Sequence, residues 1–233
     1  IGTAIDESQI EEKDPLVTAL ISKEFSCITA ENIMKSMFIH PEKDKFDFNL
    51  TDKYVAFGEK HKMFIHGHTL LWHSQLAPWI AQIKDSTAMA DAITTHINTI
   101  VDKYKGRINS WDVVNEAIDD NEKNDFRSSL WYEICGEEYI AKAFQYAHEA
   151  DPKAKLFYND YNTENPVKRE KIFLMIKKLV LIFFICFSVF NNSRLLAQTN
   201  KVDSLLALVN SSKKDTSAVM VYSNLCWAYL NQS

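Results

Sequence analysis

An amide and a carboxylate stand side by side at Asn115-Glu116, at the end of an apolar run that begins at Ile108 and passes through Val113 and Val114. A run of this kind reads as a buried parallel strand that delivers polar groups at its C-terminal end, the rim on which barrel enzymes keep their chemistry. An ordinary strand end with a solvated Glu has the same short signature, so the pair gains meaning only from what accompanies it. Three other stretches end in the same way. Phe25 to Ala30 leads to Glu31-Asn32, with Lys35 three residues on; Thr29 there also suits the capping residue of a short helix. Met63 to Ile65 leads into a rim rich in aromatic and imidazole groups, with His66, His68, Trp72, His73 and Gln75. Ala154 to Phe157 leads to Tyr158-Asn159-Asp160-Tyr161-Asn162. The histidines do not make a metal site, because neighbouring strand residues point opposite ways and no fourth ligand is evident. Trp72 and Trp79 offer flat apolar faces of the kind that stack on sugar rings, although core packing is the commoner fate of aromatics.

The elements that must position these groups follow from periodicity. Ile1 to Asp6 is a short β-type run. Pro15 to Phe25 is a helix with Pro15 in its first turn and Leu16, Ala19, Leu20 and Phe25 as its expected apolar face. Thr51 is the expected N-cap of a helix through His61 that buries Tyr54, Val55 and Phe57. Residues 86–104 carry Met89, Ile93, Ile97, Ile100 and Val101 at helical spacing and close at Lys105-Gly106. Asp119 to Asp125 is a charged surface loop. Glu137 to Ala150 is an amphipathic helix with Ile140, Ala143, Phe144 and Ala147 inward. Strands that alternate with helices in this manner imply a parallel sheet.

Four of these stretches carry a resemblance. Thr29-Ala30-Glu31-Asn32, Gly67-His68-Thr69-Leu70-Leu71-Trp72-His73-Ser74-Gln75, Trp111-Asp112-Val113-Val114-Asn115-Glu116-Ala117 and Tyr158-Asn159-Asp160-Tyr161-Asn162 resemble, in order, the strand-end motifs of glycoside hydrolase family 10, the endo-β-1,4-xylanases. The resemblance covers residues 1–174 and implies an α/β fold, an incomplete TIM (β/α)8 barrel of five β/α units. A full barrel usually takes about 250 residues. It also implies that Glu116 is the acid/base, that Asn115 holds a sugar 2-hydroxyl, and that Glu31, Asn32, Lys35, His73, Tyr161 and Asn162 face the substrate, with Trp79 as a further binding candidate. The implied partner is xylan or a xylo-oligosaccharide, with no cofactor and no metal. Retaining cleavage uses two carboxylates about 5–5.5 Å apart. The family's nucleophile lies in an Ile-Thr-Glu-x-Asp context on the seventh strand, and neither that stretch nor the sixth-strand Gln-x-His occurs in this sequence. Impaired hydrolysis is therefore the expectation.

Composition divides the chain. The net charge of −5 argues against nucleic acid as a partner. Residues 1–174 hold 20 of the 26 Lys/Arg and 29 of the 31 Asp/Glu, and all five glycines, so the remainder is basic. Cys27, Cys135, Cys186 and Cys226 are too scattered to suggest a disulfide or a metal site. From Met175, a Lys177-Lys178 pair, the apolar run Leu179 to Phe190 and the small residue Ala197 have the layout of a secretory signal peptide, and the run is shorter than the roughly 20 residues of a membrane span. Residues 199–233 then resemble the start of a tetratricopeptide array, most clearly at Tyr222 to Leu230. The expected organisation is thus 1–174, a signal-like segment over 175–198, and an unrelated, mostly helical tail that targets a membrane or binds protein. On this reading the tail begins a different protein joined to the first by fusion, rearrangement or assembly error, and the start at Ile1 is a truncation or processing point. The family resemblance implies an extracellular or periplasmic setting, with the signal-like segment lying inside the chain instead of at its N-terminus. The rival reading is a secreted or periplasmic helical-repeat interaction protein whose working part is the tail.

Overall fold

The structure, a computed structural model, describes the backbone of residues 1–190 and the side chains of residues 1–179. The tetratricopeptide-like stretch and the expected cleavage point near Ala197 lie outside the described residues. Five strands form one parallel sheet: β1 (Gly2–Ile5), β2 (Cys27–Ala30), β3 (Phe64–Trp72), β4 (Ser110–Asn115) and β5 (Lys155–Asn159), neighbours in space in chain order. Between them come α1 (Glu7–Ile10) and α2 (Pro15–Glu24), α3 (Ser36–Ile39) and α4 (Asn49–Lys60), α5 (Ser86–Lys103), then α6 (Leu130–Cys135) and α7 (Glu138–Ala150). α8 (Pro166–Phe190) follows β5. This is the strand–helix alternation of a partial (β/α)8 barrel. The described residues divide into two compact units, the first of Ile1–Ala117 with Phe126–Asn159 and the second of Ile118–Asp125 with residues 160–190.

Local chemistry starts the helices. Asp6 accepts from the amides of Ser8 and Gln9 while the Gln9 side chain accepts from the Asp6 amide, a complete capping box. Asp14 caps α2 ahead of Pro15, Asp85 caps α5 through the Ala88 amide at 2.9 Å, and Ser129 caps α6 through Tyr132. Thr51 is not a cap. α4 begins two residues earlier at Asn49, whose amide is held by Asp47 at 3.0 Å, and Thr51 is buried within the helix.

The core follows the predicted periodicity on α4, α5 and α7, where Tyr54, Val55, Phe57, Met89, Ile93, Ile97, Ile100, Val101, Ile140, Ala143 and Ala147 are buried. Phe144 is only half-buried, and Tyr139 takes the inward place beside Ile140. α2 is turned the other way from expectation: Thr18 and Ile21 are buried, whereas Leu16, Ala19 and Leu20 are exposed. That helix carries two apolar stripes, Leu16-Ala19-Leu20 and Val17-Ile21, and helical spacing cannot choose between them. Tyr54 ties α4 to the sheet. Its hydroxyl is shared between the carbonyls of Ile28 (2.9 Å) and His66 (2.8 Å), on β2 and β3.

Every residue of β4 is buried, as a central parallel strand requires. Trp111 lies over Gly67 of β3, so closely that a Cβ at Gly67 would stand 2.1 Å from its ring. Asp112 accepts hydrogen bonds from His66 (3.0 Å) and His68 (2.8 Å), and Ser110 meets the other nitrogen of His66 at 2.7 Å. Burial pushes the Asp112 carboxyl up, but the two imidazole hydrogen bonds outweigh it and hold the group below the ordinary carboxylate value.

Candidate active site

The C-terminal ends of β2, β3 and β4 gather the groups singled out in the sequence. Pairing of β3 with β4 is regular from His66 to His68 opposite Ser110 to Asp112, shifts, and resumes with Leu71 opposite Val114 and Trp72 opposite Asn115. β4 against β5 shifts between Asp112 and Val114. Such irregularities re-aim the side chains that follow. Here they set Trp72 beside the start of the Asn115-Glu116 corner.

Glu116 has φ +57°, a left-handed conformation that costs a non-glycine residue about 1–2 kcal/mol. Its Oε2 accepts from the Trp72 indole N–H at 2.9 Å and lies 3.9 Å from His73 Nε2. The Trp72 carbonyl in turn accepts from the Trp131 indole at 3.0 Å. Lys35, almost fully buried, holds its ammonium 4.8 Å from the centre of the Trp72 ring and donates to the Glu31 carbonyl (2.6 Å) and to Asn32 Oδ1 (3.2 Å). Burial pushes Lys35 down from the usual lysine value, partly offset by Glu31 and Glu116. Gln75 donates to Asn32 at 3.3 Å and so links the ends of β2 and β3. The amide groups of Asn115 and Asn159 meet at 2.8 Å.

Of the residues predicted from sequence, Asn32, Lys35, His73, Asn115 and Glu116 are therefore joined through Trp72, Gln75 and Asn159, all within the first unit. Glu31 is exposed; its carbonyl accepts from the Lys35 ammonium, and its carboxylate acts on that ammonium only through charge. Trp79 is held elsewhere. Its indole donates to the His40 carbonyl at 2.9 Å and its ring packs against the His40 imidazole. Trp72, not Trp79, is the indole at Glu116.

Tyr161 and Asn162 belong to the second unit. There Tyr161 donates its hydroxyl to Asp120, Asn162 donates to Asp120 at 3.4 Å, and the buried Lys168 of α8 bonds both Asp120 and Asp160 at 2.8 Å while lying 3.9 Å from the centre of the Tyr161 ring. The side chain of Asp160 has no exposed surface.

One contributor, Arg127, was not singled out in the sequence, and two rim residues, Tyr158 and His66, take supporting roles that the sequence did not assign. Arg127 donates its backbone N–H to the Ala117 carbonyl (2.8 Å) and its Nε–H to the Glu116 carbonyl (3.0 Å). Tyr158 accepts the Ala117 N–H at 3.0 Å. His66 braces Asp112 together with His68. For His66 the alternation of His66 and His68 along one strand face was an available signal. For Arg127 there was none, since a loop brings it back to the corner.

A parallel strand–helix sheet with a carboxyl group, an indole and a buried ammonium collected at its C-terminal rim has the layout of a (β/α)-barrel site. The family model for Glycosyl hydrolase family 10 matches residues 1–181, which passes the expected boundary at 174 by seven residues. This chain belongs to glycosyl hydrolase family 10. Endo-1,4-beta-xylanase A of Xylanibacter ruminicola is 43% identical over 184 residues, covering 77% of this chain and 49% of that protein. Beta-1,4-xylanase of Dictyoglomus thermophilum is 46% identical over 180 residues, covering 77% and 49%. Among solved structures, xylanase 10B from Thermotoga petrophila RKU-1 in complex with xylobiose is 41% identical with a TM-score of 0.73, over 76% of this chain and 55% of that one. The chain thus spans about half the length of these relatives.

Proposed function

We propose that this chain carries the acid/base side of a retaining endo-1,4-β-xylanase. In this reading Glu116 gives its proton to the leaving glycosidic oxygen, Trp72 orients the carboxyl, and Asn32, Lys35, His73 and Asn115 hold xylose hydroxyls. The observation that carries it is the joint placement of Glu116, Trp72 and Lys35 on one rim, on a chain 41% identical to a relative solved with xylobiose. Xylan is the proposed substrate class. The sequence contains no Ile-Thr-Glu-x-Asp stretch to supply the second carboxylate. Without an attacking group the covalent step has no path, so little hydrolysis is expected from these 233 residues alone.

Calorimetric titration with xylotriose, alongside reducing-sugar release from xylan, tests both parts. Saturable xylotriose binding with turnover near background is the expected result. Absence of binding would sink the substrate assignment, and ready turnover that disappears in Glu116→Gln would sink the expectation of impairment.

A further inference from the structure

We propose that Arg127 is a positioning residue that fixes the left-handed backbone of Glu116 and so aims its carboxyl at Trp72. The four main-chain polar groups of Glu116 and Ala117 are all engaged. The Glu116 N–H donates to the Asn159 carbonyl (2.8 Å) and the Ala117 N–H to the Tyr158 hydroxyl (3.0 Å), both from β5 or its neighbour strand pairing. The two carbonyls both accept from Arg127, one from its charged Nε–H and one from its backbone N–H. A strained conformation persists only when its surroundings over-determine it. β5 fixes the two donors of this corner, and Arg127 fixes the two acceptors.

The geometry gives the contact a directional consequence. The φ of +57° is bounded on its N-terminal side by the Glu116 N–H, held by Asn159, and on its C-terminal side by the Glu116 carbonyl, held by Arg127. Without that second anchor the corner can relax from its left-handed φ, which swings the Glu116 side chain off the 2.9 Å bond to Trp72 Nε1 and changes its 3.9 Å approach to His73. Arg127 itself is half-buried, and it stands two residues before Ser129, which caps α6. α6 carries Trp131, whose indole holds the Trp72 carbonyl. One short segment therefore supports both partners of the Trp72–Glu116 bond.

The role deepens the xylanase reading and rests on it for its functional meaning, but its test does not need turnover. The Trp72 indole N–H resonance reports the bond to Glu116 and is identified by its displacement in Glu116→Gln. In Arg127→Met, which keeps the aliphatic stem and removes the donor, this resonance moves toward its Glu116→Gln position while those of Trp79 and Trp111 stay in place, and xylotriose affinity falls about tenfold. Arg127→Lys, which restores a cationic donor, returns the resonance toward that of the unmodified chain. An unmoved Trp72 signal in Arg127→Met overturns the proposal. Collapse of all the indole signals in that variant overturns it too, because Arg127 would then be holding the fold at large. A Trp72 signal that follows Arg127 in a chain that does not bind xylotriose leaves the positioning role standing and removes the sugar reading instead.

Discussion

Replacing Gly67 by Ala tests whether the β3–β4 contact under the site is as tight as it looks. A Cβ at position 67 meets Trp111 Cε3 at 2.1 Å, Cζ3 at 2.4 Å and Cδ2 at 2.7 Å. Carbon atoms in ordinary contact lie about 3.5–4.0 Å apart, so the ring must retreat by more than about 1 Å. Trp111 is 1% exposed, so the ring is enclosed by protein and cannot retreat into solvent. Overpacking of this type costs about 1–3 kcal/mol, and the entropic gain from losing a strand glycine returns roughly 0.5–1. At about 2–4 °C per kcal/mol for a chain of this size, the net cost of about 0–2.5 kcal/mol should lower Tm by at most about 10 °C. Thermal unfolding of Gly67→Ala, Trp111→Leu and the double variant isolates the contact. With the indole removed, the alanine should cost much less, giving a coupling of about 0.5–3 kcal/mol. Equal cost in both backgrounds refutes the steric argument. Gly106→Ala makes a useful contrast, since its φ is +71° with nothing within 4 Å, and its cost should be that of backbone conformation alone, independent of Trp111.

Trp72→Phe keeps an aromatic face for Lys35 but removes the donor to Glu116, and xylotriose affinity measured by calorimetry should weaken by about tenfold, whereas unchanged affinity would separate the bond from binding. Asp112 titrates below its ordinary value of 3.8 in the folded chain, so its stabilisation is present above that value and is lost as pH falls through the folded pKa. Urea unfolding of Asp112→Asn should accordingly show a deficit near pH 5 that narrows toward pH 3, and a deficit that is constant or grows on acidification contradicts the assignment. Lys168→Met leaves the unexposed carboxylate of Asp160 without its cation, at a cost of about 3–5 kcal/mol; a cost below 1 kcal/mol in denaturant unfolding would mean the ion pair contributes little.

Much of this was legible in the residues. Each rim motif sits where an apolar run gives way to polar groups, and β2, β4 and β5 begin in those runs because buried parallel strands need continuous apolar sequence, whereas β3 continues to Trp72 through residues read as rim. Asn115-Glu116 was found for the same reason. What sequence could not supply was contact across long separations. Trp72 and Glu116 meet only because the β3–β4 register shifts after His68, and no local pattern records a register shift. Asp112 receives His68 from 44 residues earlier in the chain, and His66 from the same strand. Arg127 lies just past the charged loop at Asp119 to Asp125 and carried no signal of its own, since its placement depends on how the chain returns from Ala117. The inverted face of α2 shows the limit of periodicity itself, since two stripes of similar apolarity compete and only packing decides between Ile21 and Leu20. Trp79 was weighed as a sugar platform on residue type alone, whereas its indole is committed to His40.

The most direct measurement is a crystal structure of this chain soaked with xylotriose. The account predicts electron density for the sugar across Asn32, Lys35 and His73, with a glycosidic oxygen within hydrogen-bond reach of Glu116. Sugar bound away from that rim, with Glu116 still turned to Trp72 and nothing beside it, would contradict the claim that Glu116 is the proton donor.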